Sequence, residues 1–303
     1  MNQRVWQWGR FTASILLLGP MLSVPGYALP LLAQAAPQRS PAEVQLDQGL
    51  QQIQQRNLEA AIADFRAAIA LDSNLAPAHY NLGLALRQSG QLQESATAFW
   101  QAVQADPQLA LAYVNLGAAL LEGNNLDQAT DYLQRALEIN PELGIAYYNL
   151  GLVQLQQQAY ATALATFEQA KRYSPTAPEP DYYQGLIYLQ QDQLAAAEAA
   201  FSAAIAHYPR YAEAYYNLGV ARFRQANYET ALSAFQTAVD INPNYADAYY
   251  SAGLTLAQMS ERDRALSAFE YARNLYIAQG QANWASTTQA QINRVKRAPG
   301  SQS

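Results

Sequence analysis

The sequence contains no cysteine. That excludes a disulfide framework, thiolate chemistry, sulfur-ligated metal and a lipid-modified N-terminal cysteine, and it is compatible with either redox compartment. Histidine is almost as scarce, with only His79 and His207. Lysine is limited to Lys171 and Lys296. With 18 basic against 24 acidic residues the net charge is −6, which argues against a nucleic-acid surface. No carboxylate and histidine recur at metal-ligand spacing, and no glycine loop suits a phosphate. Neither a metal nor a cofactor is expected, and the chain does not read as an enzyme.

What is abundant is repetition. Ala76–Leu109 recurs at a fixed period of 34 residues without insertion or deletion. Gly49, Gly83, Gly117, Gly151, Gly185, Gly219 and Gly253 form one unbroken column, and Ala68, Ala102, Ala136, Ala170, Ala204, Ala238 and Ala272 another. Each copy holds two stretches with apolar residues at helical spacing, separated by a short polar break such as Ser89-Gly90 or Gln191-Asp192. Proline closes most copies (Pro107, Pro141, Pro175, Pro209, Pro243), because it cannot continue the helix before it. The unit is therefore a helical hairpin. The small columns let its helices approach, and Phe65, Phe99, Leu133, Phe167, Phe201, Phe235 and Phe269 fill the space between them. One hairpin cannot bury its apolar face alone, so the copies must stack into an all-α solenoid.

Tyr-x-Asn-Leu-Gly followed by Ala, Phe, Ala and Asn/Asp-Pro at these offsets resembles the tetratricopeptide repeat. The resemblance covers most of the chain and implies a right-handed superhelix whose first helices line a concave groove.

Taken in order, residues 1–38 stand outside the repeat. Arg4 and Arg10 precede an uncharged, largely apolar run, Phe11–Ala36, which ends near Ala33-Gln-Ala35. That pattern reads as a secretory signal peptide over 1–35, cleaved after Ala35. The rival is an uncleaved membrane anchor over 11–36, although Pro20, Pro25 and Pro30 interrupt it. Either reading places the solenoid outside the cytoplasm, in a periplasm or thylakoid lumen, with membrane contact only through this segment. A linker over 36–41 follows. Seven repeats are expected at 42–75, 76–109, 110–143, 144–177, 178–211, 212–245 and 246–279. A capping helix over 280–297 carries Trp284, Thr288, Ile292 and Val295 on one face, and 298–303 form a disordered tail. The proline-rich junction Pro175–Asp181 is either a stiff inter-repeat loop or a bend where a partner docks.

Candidate binding residues lie in columns of the first helices. One runs Asn81, Asn115, Asn149, Tyr183, Asn217, Ser251, and its neighbour Tyr80, Val114, Tyr148, Tyr182, Tyr216, Tyr250. A turn further on come Leu84, Ala118, Leu152, Leu186, Val220 and Leu254, on or beside the same face. The resemblance puts that face in the groove, and asparagine at this place is similar to a ladder in one enzyme's superhelix of such repeats, where the amides grip the backbone of an extended peptide. Tyr183 and Ser251 interrupt the ladder here. The same asparagines could instead bond neighbouring helices, and the tyrosines could pack between repeats. Four amides at about 0.5–1.5 kcal/mol each supply roughly 2–6 kcal/mol. A micromolar complex needs about 8 kcal/mol, so burial against the Tyr and aliphatic columns must add to them. The expected ligand is a protein or extended peptide segment with apolar or aromatic side chains. The family's carboxylate clamp, which needs clustered Lys and Arg, is absent. A non-enzymatic interaction scaffold or assembly factor is the expectation. The alternative is a glycan-binding component of an envelope polysaccharide export system, its stacked tyrosines holding sugars.

Overall fold

The structure is a computed structural model that describes residues 39–297. The signal-peptide, anchor and tail assignments, and most of the linker, lie outside the described residues. Among those residues the chain forms fifteen α-helices and no strand, an all-α repeat solenoid. The first hairpin is α1 (Pro41–Gln54) and α2 (Leu58–Leu71), followed by α3 (Ala76–Gln88) and α4 (Leu92–Ala105). Next come α5 (Ala110–Glu122) with α6 (Leu126–Ile139), and α7 (Gly144–Gln156) with α8 (Tyr160–Tyr173). The later hairpins are α9 (Glu179–Gln190) with α10 (Leu194–His207), α11 (Ala212–Arg224) with α12 (Tyr228–Ile241), and α13 (Ala246–Gln258) with α14 (Arg262–Ala278). α15 (Ala282–Arg297) ends the described chain. No helix among these residues is long and apolar enough to cross a membrane.

The helices group into two compact units that divide within α6, between residues 135 and 136. In the first unit α1 packs on α2 and α3 on α4, while α2 and α4 also cover the next first helix, α3 and α5. The second unit repeats the scheme from α7 to α14, and α15 lies against α14.

The glycine column explains how closely the paired helices meet. A Cβ on Gly83 would fall 2.6 Å from the Phe99 ring, and one on Gly185 or Gly219 would meet Phe201 or Phe235 at the same distance. Only a hydrogen fits beneath each ring. In the third hairpin Leu133 takes the ring's place, 2.7 Å from the same point on Gly117. These rings and the alanine column from Ala68 to Ala272 are fully buried.

Turn chemistry repeats as strictly as the core. Arg56, Gly90, Asn124, Gln158, Asp192, Ala226 and Ser260 all adopt positive φ, each 34 residues after the last. This one left-handed residue lets each first helix end and its partner begin. Between hairpins, Asp72, Asp106, Asn140 and Asn242 accept a side-chain hydrogen bond from the backbone N–H two residues on, at 2.9–3.1 Å. This local turn is what Asn or Asp supplies at the position, before proline in three of the four cases and before Ser73 in the first.

The ends depart from the period for identifiable reasons. α1 starts at Pro41, within the expected linker, because Ser40 and Glu43 form a reciprocal capping box and proline suits the first turn. α14 runs three residues longer than α12, since Ile277 stands where other copies have a proline. α15 turns Trp284, Thr288 and Ile292 toward the last hairpin. Thr288 and Ile292 are buried, and the Trp284 ring lies 6.0 Å from Tyr276 and 6.1 Å from Tyr250.

Candidate functional site

Tyrosines of the first helices serve two structural partners at once. Each leans on the aromatic ring of its own hairpin: Tyr80 on Phe99, Tyr182 on Phe201 and Tyr216 on Phe235 at 5.8 Å, Tyr148 on Phe167 at 6.3 Å, Tyr250 on Phe269 at 5.6 Å. The hydroxyl then reaches the asparagine column of the next repeat. Asn115 Nδ2 lies 3.5 Å from the Tyr80 hydroxyl, and Asn217 Nδ2 donates to the Tyr182 hydroxyl at 3.2 Å.

The same amides are also tied to their own helices. Nδ2 of Asn81, Asn115, Asn149 and Asn217 donates to the carbonyl four residues back, on Pro77, Leu111, Ile145 and Glu213, at 2.8–3.0 Å. Asn115 is buried and Asn149 wholly so, and the Oδ1 of each has no partner. A buried acceptor without a donor is costly to leave, so both atoms have hydrogen-bonding capacity still to fill.

The aliphatic members of the expected groove differ in access. Ala118, Leu152, Val220 and the ring of Tyr250 are buried, whereas Leu84 is 38% exposed. Asn81, Tyr80, Tyr148, Tyr182, Tyr216 and Asn217 are half-buried. The accessible part is therefore Leu84, Asn81 and the edge of Tyr80 in the first unit, and Asn217 with the edges of Tyr148, Tyr182 and Tyr216 in the second.

The later hairpins add tyrosines outside the two columns singled out in the sequence. Tyr183, in an asparagine position, lies nearly parallel to Phe167 at 5.8 Å and tilts against Tyr148 at 5.9 Å. Tyr211 and Tyr245, the residues that lead into α11 and α13, tuck against Tyr182 at 4.8 Å and Tyr216 at 5.0 Å. The corresponding residues of earlier repeats are Leu75, Leu109 and Leu143, so the 34-residue register already held the signal. Burial, joined by neighbouring tyrosines and by carboxylates of the first turns, pushes the hydroxyl pKa values of Tyr148, Tyr211 and Tyr245 well above the ordinary 10.0. These hydroxyls stay neutral and able to donate across the physiological range.

The junction of α8 with α9 replaces apolar packing by charge. Asp181, 2% exposed, occupies the slot of Tyr147 and Tyr215, and Lys171 from α8 reaches it at 2.8 Å. Gln184 stands where Leu150 and Leu218 stand elsewhere, accepts from Lys171 at 3.2 Å and donates to the Leu164 carbonyl at 3.2 Å. His207 lies 3.8 Å from the same carboxylate. The proline-rich loop thus precedes a hydrogen-bonded, ion-paired seam. His79, by contrast, is buried in a tyrosine slot with Nε2 on the Ser73 carbonyl at 2.9 Å, a packing role.

Comparison with known sequences gives two overlapping results. One tetratricopeptide-repeat profile matches residues 114–178 and 182–246. A second TPR profile matches 49–87 and 83–122, and together they span more than half of the chain. The chain belongs to the tetratricopeptide-repeat family. No curated protein matches it. Among solved structures, this TPR protein is similar to YrrB, described as a TPR protein with an unusual peptide-binding site. The two share 27% identity and a TM-score of 0.53 over 64% of this chain and 99% of YrrB. A TPR protein from Parabacteroides merdae superimposes with a TM-score of 0.62 at 19% identity, covering 82% of this chain and 98% of its own. The type IV pilus biogenesis factor PilW gives 0.62 at 17% identity, covering 69% and 97%. At those identities the last two show the shared fold. The TPR fold and the likeness to YrrB support a protein-interaction scaffold.

Proposed function

We propose that this TPR protein is a non-catalytic scaffold or assembly factor that takes a protein segment on the face of its first helices, outside the bacterial cytoplasm. The observation that carries the binding mode is, within each unit by itself, a row of half-buried amides and hydroxyls on that face. Asn81 stands with Tyr80 in the first unit, and Asn217 donates to the Tyr182 hydroxyl at 3.2 Å in the second, all of them still partly open to solvent. Such a row suits a main chain, which presents a donor and an acceptor at every residue. YrrB, also a TPR protein, is described as having a peptide-binding site, which supports a peptide as the ligand class. The exported location is supported by the sequence alone, through Arg4 and Arg10, the apolar run and Ala33-Gln-Ala35.

Affinity capture from envelope extract tests this reading, comparing the full chain with its Asn81→Ala plus Asn217→Ala variant. A protein retained by the parent and lost from the variant, with helix content preserved, is the expected result. Equal retention by both would remove the amides from the binding face.

A further inference from the structure

The first turns of the last three first helices carry a second column, absent from the earlier repeats. Pro77, Leu111 and Ile145 give way at the same register to Glu179, Glu213 and Asp247. Glu213 is exposed and Glu179 half-buried, and neither forms an ion pair among the described residues. Three nearby basic side chains are committed elsewhere, Lys171 to Asp181, Arg222 to Glu198 and Arg224 to Asp192, at 2.7–2.8 Å. Arg210, in the loop before α11, is exposed and makes no ion pair with Glu213 among the described residues. Asp247 accepts a hydrogen bond from the Tyr276 hydroxyl at 2.5 Å and pairs with no basic side chain among the described residues.

These carboxylates stand beside the tyrosine wall. Burial and ring neighbours raise the Tyr211 hydroxyl first, and Glu179 and Glu213 add to the effect. Tyr245 is raised by burial, by Tyr216 and Tyr182, then by Asp247 and Glu213. Negative charge and half-buried aromatic edges thus share one strip along α9, α11 and α13.

A contact ties the carboxylate register to the tyrosines. Asn217, half-buried on α11, donates through Nδ2 to the carbonyl of Glu213 at 2.9 Å and to the Tyr182 hydroxyl at 3.2 Å, so the two columns meet at one residue.

We propose that the strip formed by Glu179, Glu213, Tyr182, Tyr211, Tyr216 and Tyr245 recognises a cationic, extended segment of a partner protein. Lysine or arginine heads sit on Glu179 and Glu213, and their methylene stems lie along the half-buried tyrosine edges. An aliphatic stem buries apolar surface there while its head stays at a carboxylate. An acidic segment meets like charge and is excluded. The inference rests on the peptide-binding reading and adds the partner's chemistry to it.

The test uses the full chain and two labelled probes: a short peptide alternating lysine with phenylalanine, and its counterpart with glutamine for lysine. The lysine peptide should bind roughly tenfold more tightly, with a preference that shrinks as salt is raised. Glu179→Gln plus Glu213→Gln should abolish the preference while leaving the glutamine peptide's affinity unchanged. Glu59→Gln plus Glu229→Gln, which removes the same charge from exposed sites on second helices, should retain it. Equal binding of both peptides by the parent overturns the cationic assignment and leaves peptide binding standing. A preference that survives in the Glu179/Glu213 variant also overturns it, and binding of neither peptide overturns both readings.

Discussion

A Cβ on Gly219 would stand 2.6 Å from Cε1 of Phe235, a ring that is itself fully buried. Alanine at Gly219 gains about 0.5–1 kcal/mol of helix propensity. Displacing a packed ring costs about 1–3 kcal/mol, so overpacking wins. Gly219→Ala should lower stability, and a denaturant midpoint equal to or above that of the parent would remove the glycine column from its packing role.

Ala226 carries the opposite expectation. It is exposed and holds φ at 63° in the turn between α11 and α12, where its Cβ meets the left-handed steric penalty. Glycine loses that penalty, about 1–2 kcal/mol, and gives back part of it as unfolded-chain entropy. Ala226→Gly should raise the thermal midpoint modestly. A fall would mean that the Ala226 side chain contributes something other than turn geometry.

The seam between α8 and α9 should respond to loss of one charge. Lys171→Met leaves Asp181, 3% exposed at its side chain, without its nearest cation. Breaking a buried pair costs about 3–5 kcal/mol, and Lys171 keeps 32% of its side chain in solvent, which lowers the expectation to about 2–3 kcal/mol. The triple change Lys171→Met, Asp181→Leu and Gln184→Leu should recover most of it, because it restores the apolar character of the other repeats. Hydrogen exchange of α8 and α9 would report both effects. No recovery in the triple variant would contradict the reading of this seam as a substituted apolar contact.

The tyrosine wall sets an alkaline limit. Burial and then neighbouring groups raise the hydroxyl pKa of Tyr148, Tyr211 and Tyr276 far above 10.0. A group whose folded pKa exceeds its unfolded value stabilises fully below the unfolded value and ceases to do so as pH climbs toward the folded one. Stability should therefore hold up to about pH 10 and fall steeply above it, with tyrosinate absorbance and helix loss rising together. Tyrosinate appearing well before any loss of helix would show these hydroxyls to be solvated.

Much of this was legible in the sequence because the repeat compares each position with its equivalents. The Gly and Phe columns, read at 34-residue spacing, become direct contacts in every hairpin. The left-handed turn residue was visible as glycine at Gly90 and as a tolerant residue at Asn124 and Asp192, but Arg56, Gln158 and Ala226 carry no local signature. There the hairpin geometry imposes a conformation that propensity does not favour. Access along the first-helix face was also hidden. Leu84 and Leu152 share a column, yet one is 38% exposed and the other 6%, because burial depends on what the neighbouring hairpins place over each position. The seam of Lys171 with Asp181 joins two columns ten residues apart in sequence, and only the packing of α8 on α9 reveals that they meet.

Photo-cross-linking within a captured complex tests the central claim most directly. A photoreactive phenylalanine analogue would replace Leu84 or Tyr183 on first helices, and Trp100 or Tyr271 on second helices, all in the full chain. Trp100 and Tyr271 are the more exposed, at 48% and 58%, so mere accessibility favours them over Leu84. The account predicts a covalent partner adduct from Leu84 and Tyr183 and none from Trp100 or Tyr271. Adducts from Trp100 or Tyr271 alone would put the partner on the second helices and contradict it.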